Sequence, residues 1–384
     1  MLLFSEILFF LAVIVLIYLF DCIVWVPNNS VAFASTFRNK YSIKKPVKIA
    51  TNNKGGFVLL SPFPPLTPTF IAHFPIIIFS RAKFSFNMFP PVDFSFSGGV
   101  KNFEYHDIAS SESLRKKLII NNDYTVEFYN EQSSKWVNRL IQQLKFLNEE
   151  DRIRSITRIM RHIFDIDGAK YTIDYFKQTT KRLRIFCNLL LIYLIVILPL
   201  IIIFGFTLIT LCIISGMLGL QLYILFLYHH HHKTLYPSRS EERITNLIRM
   251  SLCPPSAIRA YNDLGWQLLS SYNPLILAFI LCNENDFKNF AKLVIRGIMY
   301  PDHSTLDLES KYQFSHVLDN YYRDFLEKNR ISISELTIAP EAVENCVAYC
   351  PRCNNQFSFY QDFCPDCAGV KLVMFPDTFA GEKR

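Results

Sequence analysis

The amino-acid sequence predicts a multi-domain integral membrane protein, with α-helical membrane spans, a β-rich cytoplasmic part, a helical cytoplasmic part and a small C-terminal metal-binding module. Three observations predict this class. Residues 185–228 form a run of 44 positions without Asp, Glu, Lys or Arg. A second apolar segment occupies residues 1–26. Two Cys-x-x-Cys pairs stand close together near the C-terminus, from Cys350 to Cys367.

The overall composition agrees with a membrane protein. Of the 384 residues, 51% are hydrophobic and 19% are charged, and 40 Lys and Arg against 33 Asp and Glu leave a net charge of +7. Ordinary soluble domains have about 25% charged residues, so the composition excludes a disordered chain and disfavours a fully soluble one. Glycine is scarce, with 12 residues, which disfavours folds that bind phosphates through glycine-rich loops.

The apolar run 185–228 is long enough for two helical spans. A helix rises ~1.5 Å per residue, and a ~30 Å hydrocarbon core therefore takes about 20 residues to cross. We expect a transmembrane helical hairpin with its turn near Gly205 to Thr207, where the run divides into nearly equal halves. In this hairpin Pro199 would kink the first helix.

The N-terminal segment, 1–26, is predicted to be a third, marginal span. Glu6 and Asp21 interrupt it, and the charge-free stretch between them covers 14 residues. Both acids must then lie near the membrane interfaces. A cleaved secretory signal is the alternative, because Ala32 to Ala34 has the small-x-small form that signal peptidase recognises. The missing basic residue ahead of the apolar core counts against that alternative.

Charged flanks set the predicted orientation. Between Cys22 and Val92 there are eight basic residues and no acidic one, and four more basic residues lie just before the apolar run, at 177–184. Basic loops stay on the cytoplasmic side of membranes. The sequence therefore predicts three spans, with the N-terminus outside and the main domains cytoplasmic.

Hydrophobic periodicity divides the rest of the chain. Short β-branched and aromatic runs come first, including a predicted hairpin of Lys117 to Ile120 with Tyr124 to Tyr129. After Ser134, apolar residues recur at helical spacing. The predicted divisions are the N-terminal span (1–26), a β-rich cytoplasmic domain (27–130), a helical segment (131–184), the transmembrane hairpin (185–228), a helical cytoplasmic domain (229–340) and a C-terminal module with its tail (341–384).

The strongest chemical motif is the pair of cysteine knuckles. Cys350 and Cys353 are followed, after ten intervening residues, by Cys364 and Cys367. Two such knuckles on a short hairpin place four thiolates at the corners of a tetrahedron, as Zn²⁺ prefers. The segment from about 345 to 375 resembles the zinc-ribbon family, and the resemblance implies that all four cysteines are metal ligands. Four thiolates leave no open coordination position, so the expected cofactor is a structural Zn²⁺.

Other occupants of the knuckles remain open. Iron in a rubredoxin-like site uses the same ligands, although the glycines that follow both knuckles in rubredoxins are absent. Here Asn354 is expected to take the left-handed backbone, and Gly369 must help after the second knuckle. Two disulfides or four free thiols are the further alternative, which a cytoplasmic location disfavours. Cys346 is an alternative ligand.

Two polar features accompany the apolar segments. His229 to His232 form a run of four at the predicted membrane exit. On a continued helix His229 and His232 would share a face and could bind a metal ion, whereas the alternative is an interfacial polar stretch without a ligand. Asp21 ends the first apolar segment. The sequence contains no Walker loop, HExxH, GxSxG or dinucleotide fingerprint, so no catalytic residue is predicted and an enzyme is disfavoured.

These observations favour a membrane-anchored scaffold or interaction protein. Its cytoplasmic domains and structural zinc ribbon would dock a protein partner, or a second copy of the chain, at the lipid bilayer. The alternative is a subunit of a membrane enzyme or transport complex, with Asp21 and His229 to His232 as functional polar groups. A nucleic-acid partner is not expected, because Arg352 and Lys371 are the only basic residues in 350–375.

Overall fold

Strands dominate the chain before residue 128, and helices dominate it afterwards. The computed structural model describes residues 2–27, 30–34, 48–52, 56–62, 67–74, 77–79, 81–86, 101–128, 131–194, 207–300, 321–367 and 369–375. The helices are Leu2–Asp21 (α1), Glu131–Phe146 (α2), Glu149–Ile163 (α3), Ile166–Thr179 (α4), Lys181–Ile192 (α5), Leu208–Leu235 (α6), Ser240–Leu252 (α7), Pro254–Ile258 (α8), Ala260–Gly265 (α9), Pro274–Leu281 (α10), Glu284–Met299 (α11) and Ile333–Thr337 (α12), and residues 321–328 are also helical.

The described strands pair antiparallel in small sheets. These are Ile23–Val26 (β1) with Gly56–Leu59 (β4); Ser30–Ala34 (β2) between Lys48–Asn52 (β3) and Phe70–His73 (β5); Lys83–Phe86 (β7) between Ile77–Phe79 (β6) and Lys101–Glu104 (β8); Lys117–Ile120 (β10) between Ser111–Leu114 (β9) and Tyr124–Glu127 (β11); and Ala348–Tyr349 (β12) between Gln356–Phe357 (β13) and Val373–Met374 (β14).

Strands β6, β7, β8, β10 and β11 share one hydrophobic core with α2 and α3. Strand β9 pairs with β10, and these strands and the two helices together are called the β6 to β11 module. The predicted hairpin of β10 and β11 is confirmed, and its turn uses Asn121 and Asn122 at φ of 52° and 56°. Asparagine tolerates this left-handed backbone better than most residues. The apolar stripe of α2 covers the sheet, and its Ile141 and Leu144 are fully buried.

The remaining helices build a second, larger core together with β2 and β5. Phe176 of α4 stacks on Tyr261 of α9 at 5.3 Å and meets Phe70 of β5 edge-on at 6.0 Å. The backbone N–H of Ile71 donates to the carbonyl of Trp266 at 2.8 Å. The sheet of β2, β3 and β5 is therefore packed into the helical body.

The N-terminal helix ends before the predicted limit of the first span. Helix α1 stops at Asp21, and Ile23–Val26 forms strand β1 instead. The reason lies in the sequence of this strand, Ile-Val-Trp-Val, because β-branched and aromatic residues favour strands. The candidate cleavage stretch, Ala32 to Ala34, lies buried in β2, the central strand of its sheet.

Helices α5 and α6 pack as an antiparallel pair. The ring of Phe186 meets the ring of Tyr223 edge-on, with centroids 4.7 Å apart. A second contact lies seven residues later on the first helix and seven residues earlier on the second. There the hydroxyl of Tyr193, just past the end of α5, lies next to Gly216 of α6. The two contacts show that the helices run in opposite directions, and the basic start of α5 therefore lies beside the second half of α6.

The prediction of a protein with three membrane spans is wrong. Among the described residues, one helix has the length and apolar composition of a span, Leu211–Leu235, within α6. Within α1 the apolar stretch identified among the described residues is shorter, Ala12–Asp21, and α5 ends at Ile192. The rest of the described chain forms short helices and small sheets, which contradicts a multi-span integral membrane fold and the orientation derived from it. The predicted turn, with Pro199 and Gly205, lies outside the described residues.

Helices α1, α5 and α6 each keep exposed apolar side chains. All three contact the short helix α8. Only 22% of the apolar window of α6 is buried, so the protein does not cover this helix as it would a core helix. Exposed members are Phe9, Val15, Leu16, Ile17 and Phe20 of α1, Ile185, Leu189 and Ile192 of α5, and Leu208, Leu211, Leu218, Leu222, Tyr223 and Phe226 of α6.

Candidate metal centre

Three short strands bring the two cysteine knuckles together. Strand β12 leads directly into Cys350, and it pairs with β13 on one side and with β14 on the other. The second knuckle follows Phe363, which forms a bridge with Lys371. Each knuckle thus occupies a turn between paired segments, and the two turns face each other.

The four predicted ligands form one cluster. The Sγ atoms of Cys350, Cys353, Cys364 and Cys367 all lie within 4.8 Å of one another, and those of Cys353 and Cys364 are 3.8 Å apart. Sulfurs arranged tetrahedrally at ~2.3 Å from a zinc ion would be about 3.8 Å apart. Three of the cysteines are buried and Cys353 is half-buried. The cluster can therefore hold a metal ion such as zinc.

The backbone of each knuckle shows why these residues fold this way. In the first, the N–H of Asn354 donates to the carbonyl of Cys350 at 2.9 Å, and Asn354 has a φ of 63°. In the second, the N–H of Cys364 donates to the carbonyl of Val370 at 2.8 Å, and Gly369 has a φ of 73°. The expected left-handed positions at Asn354 and Gly369 are confirmed.

A side-chain hydrogen bond connects the two knuckles. The amide of Asn355 donates to Oδ2 of Asp366 at 2.7 Å. Because each residue belongs to a different knuckle, this bond fixes the distance between the turns that carry the thiols. It was not anticipated from the sequence, since both residues are polar turn residues with many alternative partners.

The thiol cluster favours a cation electrostatically. Hydrogen bonds from Cys353 and Cys367 lower the pKa of Cys350, whereas the hydrogen bond with Cys350 raises the pKa of Cys353 and that of Cys367. The cluster alone thus accommodates one thiolate readily and resists the others. A divalent cation removes that repulsion, because metal-bound cysteines are deprotonated.

The ribbon is packed against the helical body. Its core contacts Tyr300, which directly follows α11. On the last turns of that helix, buried Arg296 donates to the carbonyls of Leu336 at 3.1 Å and Ile338 at 2.6 Å. Burial lowers the pKa of Arg296, and nearby acidic groups that include Cys350 oppose this shift. Its positive charge therefore lies near the thiols.

The apolar side chains of the ribbon divide between its core and its surface. Val370, Leu372 and Phe375 are buried. Phe359 and Tyr360 are not, because they lie in the loop between the knuckles, with 62% and 47% of their surface exposed. Cys346, the alternative ligand, is half-buried and does not belong to the thiol cluster.

Asp21 lies in a charged cluster at the end of α1. The hydroxyl of Ser256 donates to its Oδ1 at 3.2 Å, and its Oδ2 is buried without a hydrogen-bond partner among the described residues. Nearby, Arg249 forms an ion pair with Asp263. Burial raises the pKa of Asp263 to about 6, Arg249 opposes the shift, and the charge of Asp21 adds to it. This arrangement places Asp21 within a network of opposite charges.

The histidine run continues helix α6. His229 and His230 are exposed, whereas His231 and His232 are buried. The ring of His232 packs between Tyr228 at 5.5 Å and Tyr236 at 5.1 Å. None of the four belongs to a metal-binding group of three or more ligands in the part of the chain that the structure describes. The ring of His232 is therefore part of an aromatic cluster along α6.

A third group of possible ligands was not singled out from the sequence. Glu104, His106 and Asp107 converge on the surface, with Nε2 of His106 at 3.4 Å from Glu104 and 3.2 Å from Asp107. All three side chains are exposed. Exposed acidic groups commonly converge without an ion, so the group does not constitute a site.

Comparison with known proteins gives no match. No match was found among family models, curated proteins or solved structures. The resemblance of residues 345 to 375 to a zinc ribbon therefore rests on the four cysteines and their geometry.

Proposed function

We propose that this chain is a membrane-associated interaction protein, which contacts lipid through the apolar face of α5 and α6 and uses a structural zinc ribbon to complete its folded body. The observation that carries the proposal is the uncovered surface of α6. Leu218 and Leu222 lie one turn apart, with 49% and 66% of their surfaces exposed. Exposed apolar surface of this extent marks contact with a membrane or a protein.

Charge favours lipid as the contact. Lys181, Arg182 and Arg184 are exposed on the first turn of α5, and Ile185 and Leu189 follow them on the exposed side. Basic residues adjacent to an apolar surface are attracted by anionic headgroups, by about 1 kcal/mol per residue near the surface. The change from basic to apolar side chains along the exposed side of α5 therefore fits the boundary between lipid headgroups and acyl chains.

The metal in this proposal is zinc, and its role is structural. Four thiolates leave no open position for a substrate or a water molecule. The ribbon spans about thirty residues, and a fold of that size rarely buries enough apolar surface to be stable without a metal. Zinc is preferred to iron because Asn354 and Ala368 occupy the positions where rubredoxins have glycine.

The partner in this proposal is a protein or a second copy of the chain. A nucleic acid is disfavoured because Arg352 is buried, with 5% of its surface exposed, which leaves Lys371 as the exposed basic residue in 350–375. Crosslinking of the native protein in its membrane, followed by purification under denaturing conditions, identifies the partner directly.

Vesicle flotation of the full chain tests the proposal. We expect the wild-type chain to float with vesicles that contain phosphatidylserine. The double substitution Leu218→Ser and Leu222→Ser should weaken flotation at least about tenfold, because each leucine contributes roughly 1.5 kcal/mol or more when removed from water. The matched control is Leu114→Ser with Phe146→Ser, two exposed residues of the β6 to β11 module, which should float normally. Equal flotation of the two double variants would contradict the proposal.

A further inference from the structure

Strands β1 and β4 form a two-stranded sheet with an exposed apolar face. In this subsection 'the ribbon' means this pair of strands, which is distinct from the four-cysteine ribbon. Its register places Ile23 opposite Leu59 and Trp25 opposite Phe57. These four side chains are 41%, 39%, 47% and 73% exposed, respectively. The rings of Trp25 and Phe57 meet edge-on at 5.0 Å. The ribbon therefore presents two adjacent apolar pairs to its surroundings.

The opposite face of this ribbon is already used for packing. Val26 is fully buried with Ala32 and Ile71, and Val58 packs against the same cluster. A sheet with one buried face normally carries polar residues on the other, which contacts water. Here both faces are apolar, so the exposed one is an unusual feature for a surface in contact with water.

The exposed face continues the uncovered surface of α1. Helix α1 leads into β1 through Cys22, whose carbonyl accepts the N–H of Leu60 at 2.9 Å and so fixes the junction. Phe20 lies just before this junction, and 70% of its surface is exposed. The apolar surface of the helix and that of the ribbon are thus adjacent in the chain and connected by this backbone hydrogen bond.

The sequence charge of the segment that contains both strands, and the residue types on the exposed face, favour one kind of partner. The chain between Cys22 and Val92, which includes both strands, has eight basic residues and no acidic one. Such a segment is attracted to anionic lipid headgroups. Tryptophan favours the boundary between headgroups and acyl chains, because its ring is apolar and its N–H is polar.

We propose that the exposed face of the β1 and β4 ribbon, with Trp25 and Phe57 at its centre, inserts into the headgroup region of a bilayer that contains anionic lipid. The inference rests on the proposed membrane association and adds a second lipid contact, separate from α5 and α6. The ribbon enters to a shallow depth, because strand β1 is only four residues long and its other face is held by the protein core.

Tryptophan fluorescence of the full chain tests this inference. We expect vesicles of phosphatidylcholine with phosphatidylserine to shift the emission to shorter wavelength, and brominated phosphatidylcholine to quench it. Both effects should be lost in Trp25→Phe, which keeps the site apolar. They should persist in the control Trp136→Phe, since Trp136 is similarly exposed, at 52%, but lies on α2. Phe57→Ser should weaken vesicle binding by about tenfold.

The outcomes separate this inference from the function on which it rests. If the wild-type chain floats with vesicles but the emission of Trp25 neither shifts nor is quenched, the ribbon inference is overturned and the proposed membrane association stands. If the chain does not float, both are overturned. A shift that persists in Trp25→Phe would assign it to another tryptophan and would also overturn the ribbon inference.

Discussion

Arg152 lies over the ring of Tyr105, with the guanidinium carbon 4.1 Å from the ring centroid. The same guanidinium donates to three backbone carbonyls, those of Leu144 at 3.0 Å, Arg81 at 2.7 Å and Leu147 at 2.9 Å. Two of these carbonyls are at the end of α2, and the third is just before β7. Buried Arg152 therefore joins the helices to the sheet of the β6 to β11 module.

We predict that Arg152→Lys lowers the free energy of unfolding by about 2 kcal/mol. An ammonium group cannot reach three carbonyls in the planar arrangement of a guanidinium, and a buried carbonyl that loses its partner costs roughly 1 to 3 kcal/mol. Chemical denaturation of the full chain measures the difference. Arg154→Lys is the matched control, because Arg154 is exposed and contacts only the surface carboxylate of Asp151 in the described structure, and it should change stability by less than about 0.5 kcal/mol. Equal effects of the two substitutions would contradict this role of Arg152.

We predict an acid-sensitive contribution from His73. Burial, with a smaller effect of Arg239, lowers the pKa of His73 from 6.5 to about 4, and its Nδ1 lies 2.7 Å from the hydroxyl of Ser30. Between pH 6.5 and 4 the unfolded chain binds more protons at this residue than the folded chain. Its contribution to stability is therefore complete above pH 6.5 and is lost as the pH falls towards 4, by up to about 3 kcal/mol.

The variant His73→Asn isolates this contribution. Asparagine keeps a hydrogen-bonding group near Ser30 but does not titrate. The raised pKa of Asp263 acts in the opposite direction, stabilising the fold as the pH falls through about 6, but it is common to both proteins. The difference in unfolding free energy between wild type and variant, measured from pH 7 to pH 4, should therefore shrink by the amount stated for His73. A difference that stays constant with pH would refute the assignment.

The sequence was most informative where local patterns match the packing. The asparagine turn at Asn121 and Asn122 and the helical spacing of Val137, Leu140 and Ile141 specify both the element and its buried face. Local patterns could not show that β1 follows α1 without a break. The residues of Ile23–Val26 favour a strand, but they also continue the apolar segment of α1, and their pairing with Gly56–Leu59 depends on a contact that is distant in sequence.

Two helix starts share one local signal that can be read from the sequence. Helix α11 is capped by Asn283, and α3 is capped by Asn148. In the first of these caps, Asn283 accepts the N–H of Asp286 at 2.8 Å and donates to its carboxylate at 2.9 Å. Asn148 makes the same reciprocal pair with the residue three positions later. Asn-x-x-Asp is therefore the signal that could have located both starts.

The four-cysteine site was predictable because its ligands are close in sequence. The packing of the four-cysteine ribbon against the end of α11 was not predictable. The packing of Tyr300 against the four-cysteine ribbon connects parts of the chain about fifty residues apart and has no local signature. For the same reason, the cluster of Asp21 with residues of α7 to α9 could not be predicted, since α1 precedes those helices by more than two hundred residues.

We predict that the left-handed backbone at Asn354 makes this position selective. Asn354→Gly should bind metal as well as the wild type, because glycine adopts a φ of 63° without strain. Asn354→Val should destabilise the four-cysteine ribbon by roughly 1 to 2 kcal/mol, since a β-branched residue is disfavoured in the left-handed backbone conformation. Competition with a chromogenic zinc chelator measures both. Equal affinities for the two variants would show that the knuckle does not depend on this backbone conformation.

We predict that the purified chain binds one zinc ion and that Cys350→Ser abolishes this binding. The ion supplies free energy on the order of 10 kcal/mol in comparable peptides, so its loss should unfold residues 345 to 375. Because the four-cysteine ribbon packs on Tyr300, the end of α11 should also lose protection from hydrogen exchange, whereas α2 and α3 stay folded. Elemental analysis measures the metal, and hydrogen exchange locates the damage. Cys346→Ser is the matched control, since Cys346 lies near the knuckle but outside the thiol cluster, and it should retain zinc. A folded ribbon in metal-free Cys350→Ser would refute the structural role of the ion.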